Sequence, residues 1–179
     1  MIAVENQETA DNKKIVFIVG FMGSGKTTWG RKLAHKAGWD FIDLDTYISD
    51  KTGMPIPDYF EQYGEVEFRK LESQTLKSLS FNRPTVVSTG GGTPCFFDNM
   101  QWMNETGITV FFQLPAKALW GRLMKSDITS RPALNGLTGD QLLQHIEAKL
   151  TDREPHYRKA KHTVNQLDLT VEQLVRLVQ

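Results

Sequence analysis

The sequence predicts an α/β protein with a mainly parallel, five-stranded sheet and helices on both faces. Three observations carry that expectation. Short apolar runs rich in β-branched residues recur, beginning with Ile15-Val16-Phe17-Ile18-Val19; unbroken apolarity, as opposed to alternation, marks a strand covered on both faces. Segments with helical spacing lie between these runs, as crossover connections between parallel strands require. A glycine-rich turn joins the first run directly to the first helical segment.

In chain order, the first strand ends at Gly20, and Trp29, Leu33, Ala34 and Ala37 then fall on one helical face, with Gly38 as a stop. This predicts a helix from Lys26 to Ala37. Further strands are expected over 39–44, 85–88 and 108–114, with a weak fifth at 163–164. The second is expected beside the first. Helices are expected over 57–63, over 65–79 after a break at Gly64, and over 95–104, 116–125, 140–153 and 171–178. Pro115 opens the fourth of these. Thr138 with Gln141, and Thr170 with Gln173, have capping-box spacing at the starts of the last two. Residues 47–80 and 126–139 interrupt the alternation and are candidate moving parts.

At 179 residues the chain is expected to form one domain over 14–179, preceded by a flexible extension over 1–13. Lys plus Arg and Asp plus Glu are 21 each, so no global field attracts nucleic acid or an acidic membrane, and an anion site must be local. No apolar run reaches the length of a membrane span, and the first fourteen residues lack a signal-peptide core. A lone cysteine, Cys95, permits no internal disulfide. A cytoplasmic location is expected. The four histidines and Cys95 share no metal-ligand spacing, so no structural metal is expected. Trp102, Trp120, Phe111 and Phe112 fall within apolar patterns and read as core.

Gly20-Phe21-Met22-Gly23-Ser24-Gly25-Lys26-Thr27 matches G-x-x-x-x-G-K-[ST] between a strand and a helix. Glycines let main-chain N–H groups wrap a polyphosphate, Lys26 adds a full positive charge, and Thr27 offers a hydroxyl to Mg²⁺. This turn predicts a nucleoside triphosphate site. Asp43 and Asp45 end the second strand; they suit a Mg²⁺ contact and an acceptor hydroxyl respectively, although a D-x-D pair at a strand end is also ordinary turn chemistry. Arg69 has Glu65 at i−4 and Glu72 at i+3, which alone describes a charged helix face. Gly90-Gly91-Gly92 after the third strand gives a surface that ligands can approach without side-chain clash.

Together these segments resemble the shikimate kinases, small P-loop kinases of aromatic amino acid synthesis. The resemblance rests on G-F-M-G-S-G-K-T-T, D-L-D at Asp43 to Asp45, G-E-V-E-F-R-K-L-E from Gly64, the triple glycine, S-R-P-A-L from Ser130 and R-E-P-H-Y from Arg153, in the family's order. It implies a three-layer P-loop nucleoside-kinase-like fold in which 47–80 is a substrate-binding subdomain and 126–139 a lid. It further implies that Gly23, Ser24, Gly25, Lys26, Thr27, Thr28 and the lid residue Arg131 bind ATP, with Thr27 and Asp43 on Mg²⁺. Asp45, Arg69, Gly91, Gly92 and Arg153 would bind shikimate, Glu72 would support Arg69, and Phe60 and Phe68 would line the pocket. Lys26, Asp45 and Arg131 would be catalytic. The expected reaction is phosphorylation of the shikimate 3-hydroxyl by ATP, by a monomer; another polyhydroxy acid such as gluconate, or a non-catalytic nucleotide-binding role, are the competing readings. The family pattern has an arginine where this chain has Met124; Arg122 and Lys125 flank it. Contacts to the nucleotide base near 164–166 carry no sharp motif.

Overall fold

The computed structural model describes residues 14–126, 134 and 136–179. The expected extension over 1–13, and Arg131 with most of the expected lid, lie outside the described residues.

Strand β1 (Ile15–Val19) is wholly buried and occupies the centre of a five-stranded sheet in the order β2-β3-β1-β4-β5, with β2 Asp40–Asp43, β3 Thr85–Ser88, β4 Ile108–Gln113 and β5 His162–Asn165. All four pairings are parallel. The unbroken apolarity of β1 follows from this position, because each of its two faces is covered. Val16 and Ile18 pack with Leu33 and Ala34 of α1 (Lys26–Ala37) and with Leu174 and Val178 of α7 (Val171–Val178). Ile15, Phe17 and Val19 point the other way, into a larger core. That core draws on α2 (Leu44–Thr52), α3 (Ile56–Lys77), α4 (Asn99–Thr106), α5 (Ala116–Met124) and α6 (Gly139–Tyr157). The period of two in β1 thus builds three layers.

The expected break at Gly64 is present as a residue with φ 81° and ψ 169° within α3. It separates an N-terminal arm carrying Tyr59 and Phe60 from the turns carrying Phe68, Arg69 and Glu72, and folds Phe60 back to 4.5 Å from the Phe68 ring. The Thr170–Gln173 capping box opens α7, whereas Thr138 makes no side-chain cap on α6.

Four expectations are corrected. Strand β3 separates β2 from β1, so the second and first strands are not neighbours. The helix expected over 95–104 is a 3₁₀ turn, Thr93–Cys95, followed by α4; Pro94 suits the first turn of a tight helix, and Phe97 at φ 50° interrupts any continuation. Helix α6 runs past 153 to Tyr157, with Pro155 near its C-terminal end. Asp45 is not on a strand: β2 stops at Asp43, whose carboxylate accepts from the Thr46 N–H at 3.2 Å and so starts α2 at Leu44. A carboxylate competing for helix N–H groups ends the strand one residue before the sequence pattern suggests.

Candidate active site

Parallel pairing brings the C-terminal ends of β1, β3 and β2 to one edge of the sheet, where doubly wound folds bind ligands. A cleft of about 860 Å³ opens there. One half is lined by Met22, Gly23, Gly25, Lys26, Thr27 and Thr28, the other by Asp45, Phe60, Phe68, Arg69, the three glycines and Arg153, with Asp43 between them.

In the first half the glycine turn leaves β1 and enters α1. Gly23 (φ 79°) and Gly25 (φ 88°) adopt left-handed conformations, and these fold the loop back over the start of the helix. Lys26 is buried and its Nζ donates to the carbonyls of Gly20 and Phe21, each at 2.9 Å. The ammonium is therefore held inside the turn that its own main chain forms. Ser24, also fully buried, has a hydroxyl with no hydrogen-bond partner among the described residues. That hydroxyl lies beside Gly20 and off the cleft lining; what suits an anion is the start of α1, where Gly25 supplies no side-chain cap to the helix N-terminus that faces the cleft.

Thr27 projects from the first turn of α1 and donates its hydroxyl to Asp43 Oδ2 at 2.7 Å, with Ser88 Oγ 3.3 Å away. The strand inserted between β1 and β2 therefore contributes to the junction it separates. A threonine hydroxyl beside a carboxylate, all oxygen and next to a phosphate cradle, is the donor set a hard divalent cation takes.

In the second half Arg69 is almost enclosed. Its Nε and Nη2 donate to Glu65 Oε1 at 3.3 and 3.1 Å, and Nη1 donates to Glu72 Oε2 at 2.9 Å. Aromatic rings surround the guanidinium, with Phe96 at 4.5 Å, Phe68 at 5.3 Å and Phe60 at 5.7 Å from its carbon. Glu72 is fully buried and its second oxygen accepts from Thr93 Oγ1 at 2.6 Å. The chain continues outward: Asn99 Nδ2 donates to the Thr93 carbonyl, and Ser73 Oγ donates to Asn99 Oδ1. A buried arginine–carboxylate pair is stable only when its remaining donors and lone pairs are met in this way.

The glycines admit these groups by absence of side chain. A Cβ on Gly92 would stand 2.5 Å from Arg69 Nη2, and one on Gly90 would stand 2.9 Å from both Asp45 Oδ1 and Glu72 Oε1. Asp45 and Glu72 are thus close enough to repel. Asp45 is open to the cleft yet surrounded by its walls; loss of bulk hydration there, then the charges of Glu72 and Asp43, push its pKa up to about 6 against the opposing pull of Lys26 and Arg69. Arg153, on α6, lies over the Phe21 ring at 5.7 Å and lines the cleft opposite Arg69. Burial raises the Cys95 thiol to about 11, so it is a neutral wall residue despite Arg153 and Arg69 nearby.

The cleft thus brings together the expected site residues, apart from Ser24, which lies in the loop but off the lining, and Arg131, which is outside the described residues. Of the residues beside position 124, Arg122 faces the cleft: Nη2 donates to Gln166 Oε1 at 2.6 Å and Nη1 to the Gly23 carbonyl at 3.4 Å, whereas Met124 is exposed. Phe96, Thr93, Asn99 and Tyr157 carry no functional motif of their own in the sequence. The tyrosine closes R-E-P-H-Y, which is its one signal; Phe96 and Asn99 lie within the stretch expected as helix, and Thr93 in the loop that follows the three glycines.

The model of the shikimate kinase family matches residues 22–179. Shikimate kinase of Bacteroides fragilis is 40% identical over 171 residues, covering 91% of this chain and 95% of the relative. That of Parabacteroides distasonis is 43% identical over 150 residues, covering 84% and 86%. Among solved structures, shikimate kinase from Bacteroides thetaiotaomicron superposes with a TM-score of 0.83 at 38% identity, covering 93% of this chain and 96% of that one. Shikimate kinase from Acinetobacter baumannii in complex with shikimate gives 0.82 at 33% identity, covering 93% and 90%. With a phosphate loop, an enclosed arginine and a glycine wall converging on one cleft, and with these relatives along nearly its whole length, the chain belongs to the shikimate kinase family.

Proposed function

We propose that the protein transfers the γ-phosphoryl group of ATP to the 3-hydroxyl of shikimate, giving 3-phosphoshikimate and ADP. The observation that carries this reading is the pairing, across one cleft, of a lysine-bearing phosphate loop with two arginines and an aspartate. A cyclic acid with one carboxylate and a face of hydroxyls matches that second set, because planar guanidinium forks suit a carboxylate and an aspartate suits a hydroxyl.

In this reading Gly23, Ser24, Gly25, Thr27 and Thr28 hold the phosphates, and Lys26 leaves its two carbonyl partners to meet the transferring group. Arg69 and Arg153 hold the acceptor carboxylate while Gly91 and Gly92 support the ring. Asp45 orients the attacking hydroxyl and receives its proton as the new O–P bond forms; the bond to the ADP oxygen breaks and ADP leaves. Raised proton affinity at Asp45 favours that transfer near neutral pH. Positioning and charge stabilisation supply most of the catalysis in such transfers, so Asp45 need not be a strong base. Thr27 and Asp43 are the residues that would hold Mg²⁺, which when bound neutralises charge on the phosphate oxygens. Arg131, from the segment proposed as a lid over 126–139, adds positive charge when ATP is enclosed. Residues 47–80 act as the acceptor subdomain of a single kinase domain over 14–179, and the enzyme works as a cytoplasmic monomer.

ADP release by the purified protein with ATP and Mg²⁺ tests the proposal. Shikimate should support turnover far above quinate, gluconate or no acceptor; equal rates with gluconate would overturn the acceptor assignment.

A further inference from the structure

The mechanism above makes no use of Tyr157, although its side chain reaches the acceptor wall. Tyr157 is fully buried at the end of α6, with its ring 5.2 Å from that of Phe111. Its hydroxyl donates to the Gly91 carbonyl at 2.5 Å. Arg153 stands one turn earlier on the same helix, near the phenol. Burial first, and then the neighbouring Cys95, raise the phenol's proton affinity, so the hydroxyl keeps the proton it donates.

The consequence lies in the peptide that follows. The bond from Gly91 to Gly92 is trans, and a trans peptide points its carbonyl and its N–H in opposite directions. With the Gly91 carbonyl drawn inward to Tyr157, the Gly92 N–H is directed outward, toward the cleft that both glycines line. Neighbouring groups of the loop are committed: the Gly90 carbonyl accepts from the Thr93 N–H, and the Gly92 carbonyl from the Cys95 N–H. The Gly92 N–H has no hydrogen-bond partner among the described residues. Glycines here could rotate this peptide at little cost, so its orientation must be imposed from outside the loop.

We propose that Tyr157 is a positioning residue that aims the Gly92 N–H at the anionic acceptor, so that one phenol hydroxyl sets a main-chain donor of the acceptor pocket. This rests on the reading that the acceptor lies between Arg69 and Arg153. The tyrosine touches neither substrate nor ATP; it acts through the Gly91–Gly92 peptide. Its effect therefore falls on acceptor binding and leaves the donor half untouched.

The test uses the full chain and its Tyr157→Phe variant, which removes only the hydroxyl. The shikimate KM should rise about tenfold, the effect of leaving one buried hydrogen bond unmade, while the ATP KM and kcat stay within about twofold. Tyr157→Phe with a lowered melting temperature but an unchanged shikimate KM would overturn the proposal, since a merely structural tyrosine behaves that way. A second measurement needs no variant: in ¹⁵N spectra of the wild-type chain, saturating shikimate should shift the Gly92 amide, and an unmoved Gly92 signal would equally overturn it. Failure of the wild-type protein to phosphorylate shikimate at all would instead remove the functional reading beneath.

Discussion

The donor and acceptor halves of the cleft are built in opposite ways. The donor half is one run of eight residues, Gly20 to Thr27, leading from the end of β1 into the first turn of α1, and the groups it offers are main-chain N–H, one lysine and one threonine. The acceptor half gathers Asp45 from α2, Arg69 and Glu72 from α3, glycines after β3 and Arg153 from α6, and holds them through a buried network of charge and hydroxyl groups. The donor loop's path is set by its left-handed glycines, so it can lose the lysine, with its two carbonyl bonds, and keep its shape. An assembled pocket cannot lose a buried charge without consequences for folding, so function and stability are coupled in one half and separable in the other.

Substitution can break that contrast. Lys26→Ala should lower kcat/KM on the order of 10³-fold with every acceptor, the scale for removing a preorganised charge from a transferring phosphoryl group, with little change in the far-ultraviolet circular dichroism. Arg69→Ala should cost about 3 kcal/mol in urea unfolding as well as acceptor affinity, because Glu72 is left charged, buried and unpaired; adding Glu72→Gln should recover part of the stability and none of the affinity. If Arg69→Ala were neutral in stability, the distinction between the halves would fail. Gly92→Ala places a methyl against the Arg69 guanidinium and should raise the shikimate KM roughly tenfold, about 1.4 kcal/mol, with the ATP KM unchanged in steady-state kinetics.

The smallest effect concerns Asp45. Its pKa of about 6 in the folded protein exceeds the ordinary 3.8, so the folded state binds the proton more tightly than the unfolded chain. The associated stability is full below the ordinary value and is lost as pH rises through about 6. Without metal or nucleotide, Asp45→Asn should therefore stabilise the protein at pH 8, on the order of 1 kcal/mol after screening by water in the open cleft, and this gain should vanish toward pH 4 in urea titrations. The same variant should lose nearly all turnover.

What could be read from the sequence follows the same division. The phosphate loop, its flanking strand and helix, and the break at Gly64 are local events, each governed by a few adjacent residues, and the structure has them in place. Arg69 with Glu65 and Glu72 was also legible, because helical spacing places i−4 and i+3 on one face. The family pattern then supplied Asp45, the glycines and Arg153. Contacts without a short-range signal were not legible. Tyr157 and Gly91 lie 66 positions apart, and Arg122 and Gln166 lie 44 apart. Phe96 reached Arg69 only because the segment after the glycines turns at Phe97 where apolar spacing had suggested a helix. The end of β2 was missed by one residue because a carboxylate that caps a helix looks, in sequence, like one that finishes a strand.

The bonding of Arg69 also sets what kind of molecule the pocket will refuse. A guanidinium has five N–H bonds, and three of them are already given to Glu65 and Glu72. The two left over are the number that a single carboxylate can absorb. A neutral sugar of the same size would leave them unmatched in a ring-lined recess, and a second acidic group would find no N–H left on Arg69 to receive it. Arg69's existing commitments thereby leave it room for one carboxylate, before any hydroxyl of the guest is inspected.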